Sequence, residues 1–382
     1  MSPPHAHTAP WSGTDCYVIA ELGVNHNGSA DTALRLTRAA AAAGAHAVKL
    51  QLFDAQMLVS RSAALADYQR RAGETDPRQM LGRLQLSDEG TAAVIAEAHS
   101  LGLHAIATVF STQLVGPAAT MGFDAFKTAS PDIVHRPLLE ALLGTGLPLI
   151  VSTGASTEAE VARALAWLSA GHARLALLQC VSSYPAAPAD AAIAGMCRLA
   201  QLCDCPIGYS DHTTDTLTSA LAFGLGARLL EKHLTLDRAA PGPDHAASLT
   251  PELFHAYSSA VRDRWRPFGA PPGSPRLAQA MAPHLFRFGG QQFDHHDPRF
   301  GPPDKRVLDC ELQVRALSRQ SLVAARDLPA GHPLTPADLT VKRPGTGLPP
   351  YLWNDVLGVP LARPVPSDTV ITAQDLRAPP SP

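Results

Sequence analysis

From about Tyr17 to Phe268 the chain alternates short apolar runs with alanine- and leucine-rich stretches of helical period. The apolar runs "YVIAELGVN", "HAVKLQLF", "LHAIATVF", "DAFKTAS", "PLIVSTG", "RLALLQC", "PIGYSD" and "ARLLEKHL" read as strands. Between them lie helix candidates such as "DTALRLTRAAAAAG" and "LSDEGTAAVIAEAHSLG". In "STEAEVARALAWLSAG", Thr157 followed by Glu160 has capping-box spacing and Gly171 offers a stop. Eight strands, each followed by a helix, predict an α/β fold of the closed (β/α)8 TIM-barrel type. An open doubly wound sheet is the alternative. Its glycine-rich dinucleotide turn is missing, because "ELGVNHNG" has the wrong glycine spacing.

The pattern dissolves between Gly269 and about Asp309, where "GAPPGSP" and "FGGQQFDHHDPRFGPPDKR" are rich in proline, glycine and polar residues. Short β-like runs then resume, "QSLVAARDL", "DLTVKRPG" and "TVITAQDL", and predict a small β-rich domain. The expected organisation is a flexible tail over 1–16, a catalytic barrel over 17–268, a linker over 269–318, the small domain over 319–377 and a tail over 378–382. No internal repeat is present.

Composition narrows the function classes. The 382 residues are 46% hydrophobic and 17% charged, with a formal net charge of −3, so no basic field suggests nucleic acid as a partner. No apolar run reaches membrane-spanning length, and "MSPPHAHTAPWS" lacks the charged and apolar regions of a signal peptide. The six cysteines (16, 180, 197, 203, 205 and 310) form no disulfide framework, and Cys203 with Cys205 lacks a second half for a zinc site. Reduced thiols in a cytoplasmic protein are the reading.

The unusual polar residues fall at strand ends, where a barrel of this type carries its active site. Strand one ends in Glu21, with Asn25 and His26 beyond it, and strand two carries Lys49 and Gln51 on one face. Thr108, Lys127, Ser130, Ser152, Ser182 and Tyr184 follow on strands three to six, then Ser210 and His212 on strand seven and Glu231 and His233 on strand eight. Burying so many polar groups in a barrel mouth is costly unless they are paired or bind something. Lys49, Lys127 and the serines make a cationic, donor-rich rim suited to phosphate and carboxylate. His212 and His233 could share a divalent metal, Mn²⁺ or a similar ion, used as a Lewis acid. Glu21 is the first candidate for proton transfer, with Glu231 or Asp244 near it.

At these residues the sequence resembles the sialic acid synthase family, the phosphoenolpyruvate-dependent nonulosonate synthases. The matching blocks run in order: "IAELGVNHNGS", "AVKLQLF", "IVSTGAS", "LLQCVSSYPA", "IGYSDHT", "LLEKHLTLDRAAPGPDHAASL" and "LTVKRPGTGLPP". The resemblance implies a TIM barrel with a C-terminal antifreeze-like (SAF) domain, in a domain-swapped homodimer. It implies condensation of phosphoenolpyruvate with the open-chain aldehyde of an N-acetylated hexosamine, C–O cleavage and release of phosphate. Residue by residue, His212 and His233 match metal ligands, for Mn²⁺ first and Mg²⁺ or Co²⁺ next. Lys49, Thr108, Lys127, Ser130, Ser152 and Ser210 match the phosphoenolpyruvate positions. Glu21 matches the acid at the metal site, and Asp132 stands where many members carry a glutamate of acid/base role. Gln51, Ser182, Tyr184 and Asp244 match the sugar side, and Arg343 matches an arginine donated by the partner subunit.

The departures cluster on the sugar side. Asp132 is shorter than the usual glutamate, Ser182 replaces an asparagine, "TVF" replaces "TPF" around Thr108, and Ala246 stands where lysine is common. "RRAGET" follows Gln69 where many members place an asparagine. Another aldose acceptor, of legionaminate or pseudaminate precursor type, and an inactive sugar-binding homologue are the competing readings. The adjacent histidines of "FDHHDPRF", within the 284–308 insertion, read as linker rather than metal site.

Overall fold

A computed structural model describes residues 9–12, 16–262, 286–288, 291–293 and 297–377. Eight strands, β1 (Tyr17–Gly23), β2 (Ala47–Leu52), β3 (His104–Val109), β4 (Ala125–Thr128), β5 (Leu149–Ser152), β6 (Leu175–Cys180), β7 (Ile207–Asp211) and β8 (Leu229–His233), form one closed barrel. Every neighbouring pair is parallel, and β1 closes the ring by pairing with both β2 and β8. The TIM-barrel expectation is met, and the open sheet is excluded.

The helices form where caps and apolar stripes coincide. Helix Ala30–Ala42 starts at Ser29, whose Oγ accepts the Thr32 N–H, and it buries Ala33, Leu36 and Ala40 against the barrel. The capping box at Thr157 and Glu160 is formed, both side chains satisfying backbone donors. That helix stops at Trp167 rather than running to Gly171, because residues Ser169–Arg174 tighten into a 3-10 turn. Gly171 serves packing instead, since a Cβ there would lie 2.0 Å from Leu143 Cδ1.

Inside the ring, alternate residues stack into layers. Ile19, Ala47, Ile106, Ala125, Ile150, Leu178 and Leu229 form the apolar interior with Tyr17 beneath them. Trp11, only 4% exposed, packs edge-on against Tyr17 and stoppers the floor. Residues 9–12 are therefore not the loose tail the sequence suggested, because an indole has apolar surface to bury there. Among the described residues, no helix is long and apolar enough to cross a membrane.

Two corrections concern cysteines and the small domain. Cys203 and Cys205 are joined by a disulfide, their Cα atoms 5.3 Å apart, in the turn leading into β7. The sequence expectation of reduced thiols overlooked that a C-x-C turn already brings two sulfurs together. β9 (Phe286–Phe288) and β10 (Gln291–Phe293) make a short antiparallel pair. β11 (Ser321–Ala324) and β12 (Leu339–Lys342) pair antiparallel in the small domain, around a core that includes Leu322, Val356 and Ile371. The third expected run, "TVITAQDL", contributes isolated bridges from Val370 to Val323 and from Leu376 to Leu361, with a 3-10 turn between them.

The small domain docks over the barrel mouth. Arg343 continues from β12 to bridge Val59, its N–H donating to Leu58 O at 2.9 Å while Ser60 N–H donates to its carbonyl. Asp368 ties the two units together by accepting from Arg61 N–H, Arg78 and Lys342. Arg163 stacks over Tyr351, 4.4 Å from the ring centre.

Candidate active site

One step of two residues along each strand turns the apolar layer into the site. From Ile19, Ala47, Ile106, Ala125, Ile150, Leu178 and Leu229 the same inward face leads to Glu21, Lys49, Thr108, Lys127, Ser152, Cys180 and Glu231. Ser210 joins them from β7, where its register partner is Glu231. The same alternation sends Asp211 and Lys232 outward, where they form a buried ion pair of 2.8 Å behind the barrel wall. Of "SDHT", then, Ser210 and His212 face the mouth and Asp211 is structural.

The inward layer encloses a cavity of about 920 Å³, counting its open mouth. Glu21, Lys49, Gln51, Thr108, Lys127, Ser130, Ser152, Ser182, Tyr184, Ser210, His212, His233, Asp244 and Arg343 all line it. Asp132 does not. It is fully buried behind the wall, and its Oδ2 accepts the Ala129 N–H at 3.1 Å at the start of a 3-10 turn. The short side chain caps its own turn through Oδ2, while Oδ1 is buried without a hydrogen-bond partner and burial raises the carboxyl to about 7, with Arg343 opposing. The sequence resemblance has Arg343 arriving from a partner subunit; within the single chain it lines the cavity, where β12 docks beside Leu58–Ser60. The pair of histidines in "FDHHDPRF" lies outside the described residues; Arg299 of that stretch pairs with Asp297 and Asp215.

At the floor of the cavity two lysines meet two carboxylates. Lys49 pairs with Glu21, donates to Thr108 Oγ1 at 2.7 Å, and lies 3.9 Å from Glu231. Lys127 lies 3.3 Å from Glu231, which also accepts from Ser210 at 2.8 Å. Burial opposes the charge of Lys49, but Glu21 and Glu231 together hold its pKa above the ordinary lysine value. Burial likewise opposes the charge of Glu231, yet Lys127 and Lys49 keep it below the usual carboxylate range. Glu21 goes the other way, raised by burial and by the neighbouring negative Glu231, with Lys49 opposing. Two carboxylates in one basin thus have separate roles, a permanent anion and a group placed to exchange a proton. Sequence reading set Glu231 beside Glu21 as a neighbour for proton transfer but missed its pairing with the lysines; its register opposite Ser210 was the available signal.

Above them stand His212 and His233, ring centres 5.6 Å apart. Burial, with His233 adding, lowers the pKa of His212 to about 3, and burial lowers that of His233 to about 3, so both rings are neutral. His212 Nδ1–H donates to Val181 O at 2.6 Å, which leaves Nε2 as the free lone pair. His233 Nδ1 is buried with no hydrogen-bond partner. Neutral, fixed imidazoles with an orphaned ring nitrogen suit a divalent ion. Among the described residues no cluster of three or more His, Cys, Asp and Glu is arranged as ligands, so water and substrate would complete the shell.

The upper wall mixes aromatic and apolar groups. Tyr184 stacks on His212 at 4.3 Å and on Tyr68 at 5.2 Å, and Val24, Met80, Leu81, Leu84 and Phe110 form an apolar side. Arg343 holds its guanidinium 5.6 Å over Phe110, with Nε unpartnered. Burial, with Glu21 adding and Lys49 opposing, raises Asp244 to about 7. Gln51 donates to Glu21 at 2.9 Å.

Two glycines are required by this packing. Gly23 has φ +52, and a Cβ there would lie 3.0 Å from Glu21 Oε1. At Gly154 a Cβ would meet Ser182 Oγ at 2.4 Å, Cys180 Sγ at 2.5 Å and Ser130 Oγ at 2.8 Å. Gly154→Ala is expected to cost about 1–3 kcal/mol of stability through overpacking and to weaken anion binding about tenfold, which thermal denaturation and calorimetric titration of inorganic phosphate will read.

Profiles of known families now bear on this geometry. The NeuB family profile matches residues 36–271, and that of the SAF domain matches residues 319–377. This chain belongs to the NeuB family. Among relatives, it is 34% identical to the N,N'-diacetyllegionaminic acid synthase of Legionella pneumophila over 374 residues, covering 96% of each chain. It is 29% identical to the N-acetylneuraminate-9-phosphate synthase of Drosophila melanogaster, over 94% of this chain and 95% of that one. The crystal structure of the spore coat polysaccharide biosynthesis protein spsE of Bacillus subtilis superposes with a TM-score of 0.74 at 25% identity, covering 96% of both chains. The NeuB and SAF matches agree with the resemblance carried by the strand-end motifs.

Proposed function

We propose that this protein is an enzyme that condenses phosphoenolpyruvate with the open-chain aldehyde of an N-acetylated hexosamine, giving a nonulosonic acid and inorganic phosphate. The observation that carries this reading is the buried Lys49–Lys127 pair beneath two neutral histidines and Glu21. Cations at the floor suit a phosphorylated carboxylate, and Ser152 Oγ, buried without a partner, adds an unused donor. Relatives named as synthases of legionaminic and neuraminic acids support the product class.

In this reading Lys49, Thr108, Lys127, Ser130, Ser152 and Ser210 hold phosphate and carboxylate, while Gln51, Ser182, Tyr184, Asp244 and Arg343 hold the sugar. A divalent ion, Mn²⁺ in preference to Mg²⁺ or Co²⁺, would be held by His212 and His233 and would supply Lewis-acid polarisation of the aldehyde. C3 of phosphoenolpyruvate forms the new C–C bond to the aldehyde carbon, whose oxygen takes a proton from Glu21. Water adds at C2 and returns a proton to Glu21. The C2–O bond then breaks with its electron pair on the phosphate, which takes the remaining hydroxyl proton and leaves the C2 ketone.

The test is phosphate release with phosphoenolpyruvate, Mn²⁺ and a panel of hexosamines that includes N-acetylmannosamine and 2,4-diacetamido-6-deoxy sugars. Sugar-dependent release is expected; none across the panel would refute the reading. A second reading of the acceptor, a diacetamido-deoxyhexose of legionaminate-precursor type, is favoured by the apolar side formed by Val24, Met80, Leu81, Leu84 and Phe110. A lower KM for the 6-deoxy sugars than for N-acetylmannosamine is its signature.

We further propose that the working form is a cytoplasmic homodimer in which each small domain covers the neighbouring barrel. Arg343→Ala is expected to raise the sugar KM about tenfold or more, as loss of a charged contact does. Mixing Arg343→Ala with His233→Ala chains is expected to restore activity, because one mixed site regains both residues. No recovery after subunit exchange would mean that each chain covers its own barrel.

A further inference from the structure

The chain between the two matched segments ends in residues that the function above leaves without a task. Glu311, 1% exposed, belongs to the 3-10 turn Asp309–Glu311 that precedes helix Leu312–Ser318. Its Oε1 accepts the Ala155 N–H at 2.6 Å and the Ser182 N–H at 2.8 Å, and its Oε2 accepts the Leu308 N–H at 2.9 Å. A buried carboxylate on three backbone donors bridges the loops after β5 and β6 to the chain that follows the barrel.

The carbonyl of the same residue is held by the same segment. Arg315 donates to Ala155 O, and Arg319 donates to Ala155 O at 3.0 Å, to Ser156 Oγ at 3.2 Å and to Pro131 O at 3.0 Å. Glu160 pairs with both arginines. Ala155 itself has φ +48, a left-handed conformation that a residue with a Cβ adopts reluctantly. Its neighbour Gly154 donates its N–H to Ser130 Oγ at 3.0 Å, so the turn fixed at Ala155 is the one that contacts Ser130.

We infer that Glu311, assisted by Arg315 and Arg319, is a positioning residue that clamps Ala155 and thereby holds the β5 loop in its anion-binding form. The clamp rests on the reading of Ser130 and Ser152 as phosphoenolpyruvate contacts. It makes docking of the post-barrel segment and completion of the anion site one event. Without Glu311, Ala155 relaxes toward negative φ, Gly154 N–H leaves Ser130, and the Ser182 loop loses its tie.

Full-length wild type, Glu311→Ala, Arg315→Ala and the double variant Glu311→Ala/Ala155→Gly test this. In ligand-free protein, Glu311→Ala is expected to speed amide hydrogen exchange about tenfold or more in peptides covering 153–156 and 181–184, with the rest of the barrel unchanged. The KM for phosphoenolpyruvate is expected to rise about tenfold against a less than twofold change in kcat, with a smaller rise in the sugar KM through the loosened Ser182 loop. Ala155→Gly on the Glu311→Ala background recovers part of that KM, because glycine takes positive φ freely. Arg315→Ala, which leaves the Arg319–Glu160 pair in place, shifts exchange and KM in the same direction by less, and decides the matter if Glu311→Ala does not fold. Unchanged exchange at 153–156, or an unchanged phosphoenolpyruvate KM in a wild type that saturates with it, overturns the clamp. A wild type that does not use phosphoenolpyruvate refutes the functional reading instead, and exchange then still decides the clamp.

Discussion

His233→Ala is expected to lower turnover about a thousandfold, equivalent to about 4 kcal/mol of lost transition-state stabilisation, while the protein stays folded. The ring is buried and neutral, without a hydrogen bond at Nδ1, so the Asp244 carboxylate 3.8 Å away loses no charged partner when it is truncated. Its neutral state also means that mild acidification leaves the site's affinity for a divalent ion unaffected by this group until pH nears 3. Calorimetric titration with Mn²⁺ should show binding to wild type and its loss in the variant, and chelation should silence wild type reversibly. Unchanged turnover would remove the two histidines from the mechanism.

Lys49→Met is expected to do two kinds of damage. It removes a cation from the floor, and kcat/KM for phosphoenolpyruvate should fall about a thousandfold. It also leaves Glu21 and Glu231 facing each other without their shared partner. Breaking a buried pair in this way costs about 3 kcal/mol of stability near neutral pH. The sign of its pH dependence follows from Glu21, whose pKa is already raised by burial and by Glu231, and which loses the opposing effect of Lys49. A raised carboxyl favours the folded state below its unfolded pKa and surrenders that advantage as pH climbs through the folded value. The variant should therefore approach wild-type stability in mild acid and fall furthest behind above neutrality. Denaturation at a series of pH values measures this, and a deficit that grows toward acid would contradict the assignment.

Much of this was readable from periodicity. The stride of two residues from Ile19 to Glu21, or from Ala125 to Lys127, carries a side chain from core to mouth in any strand, so the floor follows once eight strands are counted. What was not readable depended on chain path. Asp132 looks like its neighbours in sequence, but the 3-10 turn Ser130–Val134 swings it behind the wall. Glu311 sits in "PPDKRVLDCELQ", where no repeat announces an element, and its role exists only after two distant loops reach it. Trp11 looks like tail material until the barrel floor supplies an apolar partner. Arg343 carries a motif but no address, since the same "KRPG" could be delivered to its own barrel or to a neighbour's.

The stoppered floor has a consequence for traffic. Trp11 and Tyr17 seal the barrel below its apolar layers, and the small domain stands over the mouth. Two reactants that share such a cul-de-sac must queue. On the proposed reaction, whatever seats on the lysines would go in first, the larger sugar would close the passage behind it, and the fragment left on the lysines would depart last. The order of events is thus written into the depth of the cavity, and a change at the rim can slow the exit of a molecule it never touches.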